Sequence, residues 1–189
     1  MGKVVLARVD ARLIHGQVMT SLSKSAGATA IFVADDPAAH DPFTKNIILG
    51  AGSRTGLKVR VLKEDGAVRY WNDRQYDDYH VILLTKSIEV MADIIRGGVP
   101  MKELNLGGIP QKPGLTSIIK EVAINKEQLK ILQELEKDYG IDVYFQAIPS
   151  SRRVSLKEAA RLFEEHSAGL GCCWSDMEEW RKECWTAWS

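Results

Sequence analysis

Short runs of apolar and β-branched residues recur along the chain, each bounded by charged or turn-forming positions. Residues 4–9 make the first such run, and 28–34, 58–62 and 80–84 the next three. Residues 103–106 and 121–124 are shorter, and 142–148 form a clear late run. Their length and residue types predict strands. Helix signals separate them. Asp36-Pro37 reads as an N-cap with proline at the first helical position, and Ser87 as the cap of a helix ending at Gly97-Gly98. Asn125 and Gln128 make a capping box for a helix that stops at Gly140, and Ser155 with Glu158 makes a second one. Strands alternating with helices predict right-handed βαβ units. The fold class is therefore α/β, with a mostly parallel central sheet and helices on both faces. One domain is expected over about residues 1–165, with no internal repeat.

The pattern changes near the C-terminus. Trp174, Trp180, Trp185 and Trp188 crowd the last segment, together with Cys172, Cys173 and Cys184, the only cysteines. An interaction tail and a terminal amphipathic helix packed on the body or a neighbouring subunit both fit residues 166–189. Adjacent cysteines lack the C-x-x-C spacing of a zinc site, and an odd number argues against a disulfide framework.

Composition narrows the function classes. Hydrophobic residues make up 45% and charged residues 26%, which fits a globular chain. With 25 basic and 25 acidic side chains the formal net charge is zero, which speaks against nucleic acid as a partner. No apolar stretch approaches the roughly 18 residues of a membrane span, and the first residues lack a signal-peptide pattern. A cytoplasmic location is expected. There is no Walker A sequence or G-x-G-x-x-G, so no nucleotide is expected, and neither a metal nor another cofactor.

The candidate chemistry lies at 8–18. This segment leaves the first strand, forms a loop and enters a helix near Gly16. Ligands of open α/β sheets bind outside the carboxyl ends of the strands, and a helix N-terminus there suits phosphate. Imidazole is a good nucleophile near neutral pH, so His15 can attack a phosphoryl group and hold it as a labile P–N species. Arg8 and Arg12 can grip phosphoryl oxygens in bidentate fashion. Gly16 lets the backbone approach, Gln17 follows at the helix start, and Asp10 can orient the imidazole or an arginine. Asn105, Gly107 and Gly108 follow a strand at the same edge and either line the site or make a tight turn. Lys86 either meets phosphate or is merely solvated, and Ser87 either donates to the site or caps a helix. On these residues alone, a surface histidine and a phosphoryl acceptor both remain open.

Arg8-Val9-Asp10-Ala11-Arg12-Leu13-Ile14-His15-Gly16-Gln17-Val18 resembles the phosphorylation-site signature of the IIB subunits of the mannose/fructose/sorbose family of bacterial sugar phosphotransferase systems. Val33-Ala34-Asp35-Asp36 resembles that family's second strand and acidic turn, Leu104-Asn105-Leu106-Gly107-Gly108 its Asn-Gly-Gly segment, and residues 140–149 its closing strand. The resemblance covers about residues 3–165. It implies that His15 accepts phosphate from a phosphohistidine on a IIA protein. It further implies transfer to a sugar of the mannose, fructose, sorbose or N-acetylgalactosamine class, bound by membrane IIC and IID subunits. A phosphohistidine–sugar phosphotransferase, a homodimer and peripheral association with those membrane subunits are implied as well. Arg12 matches the family's arginine three residues before the histidine. The family usually has a second acidic residue where this chain has Ala11, and often a tryptophan where it has Leu22 or Ser23. A regulatory phosphohistidine protein of the same fold is the alternative.

Overall fold

Strand β1 (Lys3–Asp10) lies in the middle of a seven-stranded sheet of order β3-β2-β4-β1-β5-β8-β9. The others are β2 (Ala30–Ala34), β3 (Lys58–Leu62), β4 (His80–Thr85), β5 (Glu103–Gly108), β8 (Asp142–Phe145) and β9 (Val154–Ser155). All neighbours pair parallel except β8 and β9. A separate antiparallel hairpin joins β6 (Thr116–Ile119) to β7 (Val122–Ile124). The computed structural model describes residues 1–16, 21–53 and 56–166. Gln17 and the Trp- and Cys-rich tail lie outside the described residues.

Alternating positions of the strands feed two cores. Ile31, Val33, Ile82 and Leu84 pack with Leu22, Ala38 and Ile48, which belong to or border α1 (Ser23–Ser25), α2 (Asp36–His40) and α3 (Pro42–Ser53). Phe32, Val81 and Leu83 face the larger core, under α4 (Glu64–Arg74), α5 (Ile88–Arg96), α6 (Lys126–Tyr139) and a helix over 156–166. Helices therefore cover both faces. This is why β2 is buried at all five positions and its sequence carries no apolar–polar alternation.

The caps act as their residue types predict. Ser87 accepts from the Val90 amide and opens α5. Asn125 and Gln128 form the reciprocal capping box of α6, and Gly140 ends it in the left-handed region at φ 67°. The acidic turn after β2 differs by one residue from expectation. Asp35, not Asp36, is the N-cap of α2, accepting from Ala38 N at 2.9 Å. The Gly107-Gly108 pair also departs from the tight-turn reading, since both residues lie inside β5 and Gly108 pairs with Asp10.

Two connections set the place of the site. From β1 the chain crosses to the face of α1 and α2, whereas β5 leads through the hairpin to α6 on the other face. The chain thus diverges outside the carboxyl ends of β1 and β5, where a crevice forms in doubly wound sheets.

Candidate functional site

The loop after β1 is folded back by two backbone hydrogen bonds: Ala11 N donates to Gly108 O at 2.7 Å and Leu13 N to Asp10 O at 2.9 Å. Closing this turn places Leu13 at φ 54°, a left-handed conformation that costs a non-glycine residue energy. Burial of the Leu13 side chain among Ile31, Ile48 and Leu84 holds it there. The turned Leu13 carbonyl accepts a hydrogen bond from His15 Nδ1 at 2.9 Å. A carbonyl only accepts, so Nδ1 carries the proton in this arrangement. Nε2 is buried without a hydrogen-bond partner, 3.8 Å from Asp10 Oδ2, and the imidazole side chain is 20% exposed.

Asp10 organises the cations. Its fully buried carboxylate accepts from Arg8 Nη2 at 2.8 Å and from the Arg12 amide at 3.1 Å. Arg12 Nε and Nη2 also donate to it, at 2.9 and 2.8 Å. Burial alone would push the Asp10 carboxyl above the usual range. The hydrogen bonds from Arg12 and Arg8 outweigh that and hold it below. A carboxylate with a depressed folded-state pKa contributes stability that is fully present above its unfolded value of about 3.9 and is lost as pH falls through the folded value. Wild-type stability should therefore drop more steeply than that of Asp10→Asn as pH falls from about 5 to about 2. Urea unfolding across that range checks this, and parallel pH profiles would contradict it.

The two arginines differ in role. Arg12 keeps its side chain half exposed while its inner edge is tied to Asp10. The hydrogen bond to Asp10 raises its pKa against the cost of burial. Arg8 has no exposed surface. Besides Asp10, its guanidinium donates to Asn105 Oδ1, to Gln146 O at 3.2 Å and to Ala147 O at 2.9 Å. Burial lowers its pKa, and the Asp10 hydrogen bond opposes this. The expected direct grip of Arg8 on phosphate does not fit this placement, because its donors point into the protein. Its place is beneath the site, joining β1 to β5 and to the segment after β8.

Asn105 completes that layer, donating from Nδ2 to Gln146 O at 3.1 Å. The glycines make room for it. A methyl group on Gly107 would run into the Arg8 guanidinium, and one on Gly108 would lie 2.6 Å from Asp10 Oδ1 and 3.0 Å from Arg12 Nη2. Lys86 is placed differently. Its ammonium pairs with Asp35 Oδ2 at 2.9 Å, across the carboxyl ends of β4 and β2, and is not in the Arg8–Asp10–Arg12 cluster. Gly16 begins the helical segment, and a methyl group there would meet nothing within 4 Å. A depression of about 310 Å³ beside Arg12 is lined by Ala11, Gly108, Pro110, Lys120 and Glu121. Sequence reasoning missed the carbonyls of Gln146 and Ala147. Backbone acceptors leave no residue-type signal, so only the folded contact identifies them.

Among the described residues no group of three or more His, Cys, Asp or Glu side chains could hold a metal ion. None of the described helices is long and apolar enough to cross a membrane.

Known proteins show the same arrangement of chain. One relative is the sorbose-specific EIIB component of a Klebsiella pneumoniae phosphotransferase system, 31% identical over 154 residues, which span 82% of this chain and 93% of that protein. Another is the N-acetylgalactosamine-specific enzyme IIB component 2 of Escherichia coli K12, 31% identical and matched over 82% of this chain and 98% of its own length. Among solved structures, manxB from Thermoanaerobacter tengcongensis superposes with a TM-score of 0.79 at 38% identity, covering 85% of this chain and 96% of that one. Residues 4–168 match the family described as the PTS system sorbose subfamily IIB component. With the match running over the His15 loop, the glycine pair of β5 and the strand that closes the sheet, the chain belongs to that family of phosphotransferase-system IIB components.

Proposed function

We propose that His15 is the phosphoryl acceptor of this IIB component, charged by a phosphohistidine on a IIA protein and discharged onto a sugar held by membrane IIC and IID subunits. The observation that carries this reading is the exposed half of Arg12, fixed by the buried Asp10 on the same turn as His15. A nitrogen lone pair of the acceptor ring attacks phosphorus. The P–N bond of the donor breaks, and its electron pair returns to the donor imidazole. Two guanidinium groups against one carboxylate leave the loop with a net positive charge, which suits the phosphoryl oxygens as they change hands. In the resting arrangement Nδ1 is bonded to Leu13 O and Nε2 is covered, so the ring turns to present a lone pair. The relatives named above act in sorbose and N-acetylgalactosamine systems, and a sugar of that class is the expected final acceptor.

Incubation with a phosphorylated IIA domain, followed by mass spectrometry, tests the reading through gain of one acid-labile phosphoryl group. Arg12 is the second test. Losing a preorganised contact to developing charge costs about 2–4 kcal/mol, so Arg12→Ala should transfer roughly a hundredfold more slowly. Arg12→Lys should recover little, because an ammonium cannot form the planar fork. A rate within about threefold of wild type for Arg12→Ala would remove Arg12 from the mechanism.

A further inference from the structure

The turn of the β6–β7 hairpin lies beside the loop that carries Arg12 and His15, and it brings an unused carboxylate there. Lys120 and Glu121 are the two residues between the strands, and both are exposed. Backbone contacts fix their place. Ile109 N donates to Glu121 O at 2.9 Å and Ala123 N to Ile109 O at 3.0 Å, which bridges Ile109 to Val122 in parallel fashion. The residue before Ile109 is Gly108, whose carbonyl holds Ala11 N at 2.7 Å. Glu121 is therefore tied through β5 to the His15 loop itself.

Arg12 meets this turn across the depression of about 310 Å³ that Lys120 and Glu121 help to line. Its guanidinium lies over Gly108, where an added methyl group would come within 3.0 Å of Nη2. Nε and Nη2 are turned to Asp10, and among the described residues Nη1 has no hydrogen-bond partner. The exposed edge of the guanidinium is thus the part left for a phosphoryl group. The two charges of the turn do not cancel there. The Asp10 hydrogen bond is the chief cause of the raised Arg12 pKa, against burial, and of the two turn residues it is Glu121 whose charge adds to it. Other cations do not neutralise Glu121 either. In a second hollow that Glu121 borders, Arg152 pairs with Glu158 and Arg161 with Glu165.

A carboxylate in this position opposes what Arg12 favours. A phosphoryl group on His15 brings close to two negative charges, and an acidic side chain beside it repels them. In the unloaded protein Arg12 faces Glu121 across the depression. In the loaded one the phosphoryl group takes that arginine and leaves Glu121 facing an anion. Such an imbalance suits a carrier. An arginine that stabilised the loaded state as strongly as the transition state would slow departure of the phosphoryl group.

We propose that Glu121 is a positioning residue that sets the phosphoryl-transfer potential of His15: acting through Arg12, it weakens the hold on the bound group and favours its release. This rests on the phosphoacceptor reading of His15. The test is the equilibrium of phosphoryl exchange between the full chain and the phosphorylated IIA domain of a sorbose-type system. At a surface, a unit charge roughly 8 Å from a dianion is enough for about a threefold change in an equilibrium constant. Glu121→Gln should therefore move the exchange about threefold or more toward phosphorylated His15, and slow return of the group to IIA. Raising salt to about 0.5 M should shrink that shift, because the charge acts through exposed space. The thermal midpoint should hold, since the Glu121 backbone, not its side chain, joins the hairpin to β5. Lys120→Gln is the control for the shape of the turn and should not move the exchange in that direction. An equilibrium unmoved by Glu121→Gln, or moved toward phosphorylated IIA, overturns the proposal. So does an equal shift of the same sign in Lys120→Gln, which would assign the effect to the turn and not to charge. If wild type takes up no phosphoryl group, the reading of His15 itself fails. A labelled wild type with an unmoved Glu121→Gln equilibrium removes only the role of Glu121.

Discussion

His15→Ala will take up no acid-labile phosphate from a phosphorylated IIA domain, while wild type becomes stoichiometrically labelled. The expectation rests on chemistry as much as on placement. Transfer needs a nucleophile that forms a labile bond to phosphorus near neutral pH, and imidazole supplies one. The other described histidines do not share the setting. His40 Nδ1 bonds the Asp36 carbonyl at an exposed helix end, and His166 Nδ1 bonds the Ser117 carbonyl. His80 opens β4 at the amino end of that strand, away from the carboxyl edge where His15 lies, and none of the three has the Arg12 and buried Asp10 that surround His15. The loss should be total, because the only other nucleophile in the cluster, the Asp10 carboxylate, is fully buried and engaged by Arg8 and Arg12. Arg8 and Arg12 are poor nucleophiles while protonated. Labelling of His15→Ala at more than a trace would move the acceptor elsewhere. A comparison of thermal midpoints separates loss of chemistry from loss of fold. The imidazole is partly exposed and makes one backbone hydrogen bond, so its removal should leave the fold intact.

The second large effect is on stability. Arg8→Ala will destabilise the protein by about 3–5 kcal/mol, the usual result of removing one member of a buried, hydrogen-bonded ion pair. The buried Asp10 carboxylate would keep only Arg12 as its cation. Asn105 Oδ1 and the carbonyls of Gln146 and Ala147 would lose the Arg8 donors. For a domain of this size that corresponds to a fall of roughly 6–20 °C in thermal midpoint. Arg8→Lys should rescue only part, since one ammonium cannot reach acceptors on three separate segments. Gly107→Ala approaches the same layer from the other side, because its added methyl would occupy the guanidinium's place. It should be destabilising too. If Arg8→Ala melts within about 2 °C of wild type, the buried layer is not what holds the loop.

The contrast between these two residues shows what was legible in the chain. The β/α alternation was, because both faces of the sheet are covered and each strand stands out as an apolar run. The helix starts at Ser87 and Asn125 were legible because a cap is a local contact, between a side chain and an amide three residues on. The His15 loop was also legible: Arg12, Asp10 and His15 lie within six positions, and their contacts are made inside that span.

Other features depended on partners far along the chain. In the hairpin of β6 and β7, Thr116 and Ser117 carry little apolar signal, and β6 escaped the strand pattern. Strand β9 is two residues long and exists only through pairing with β8. Gly107-Gly108 suits a tight turn as a dipeptide, yet it continues a strand because the Arg8–Asp10–Arg12 layer lies where side chains would project. The fold class and the conformation of the His15 turn could be read from the sequence, since both arise from contacts within a few residues or from apolar patterning. Tertiary structure alone decided that Arg8 is buried beneath the site and Arg12 faces out. Arg8 meets acceptors 97, 138 and 139 residues away, and no local rule distinguishes two arginines four positions apart until those acceptors arrive.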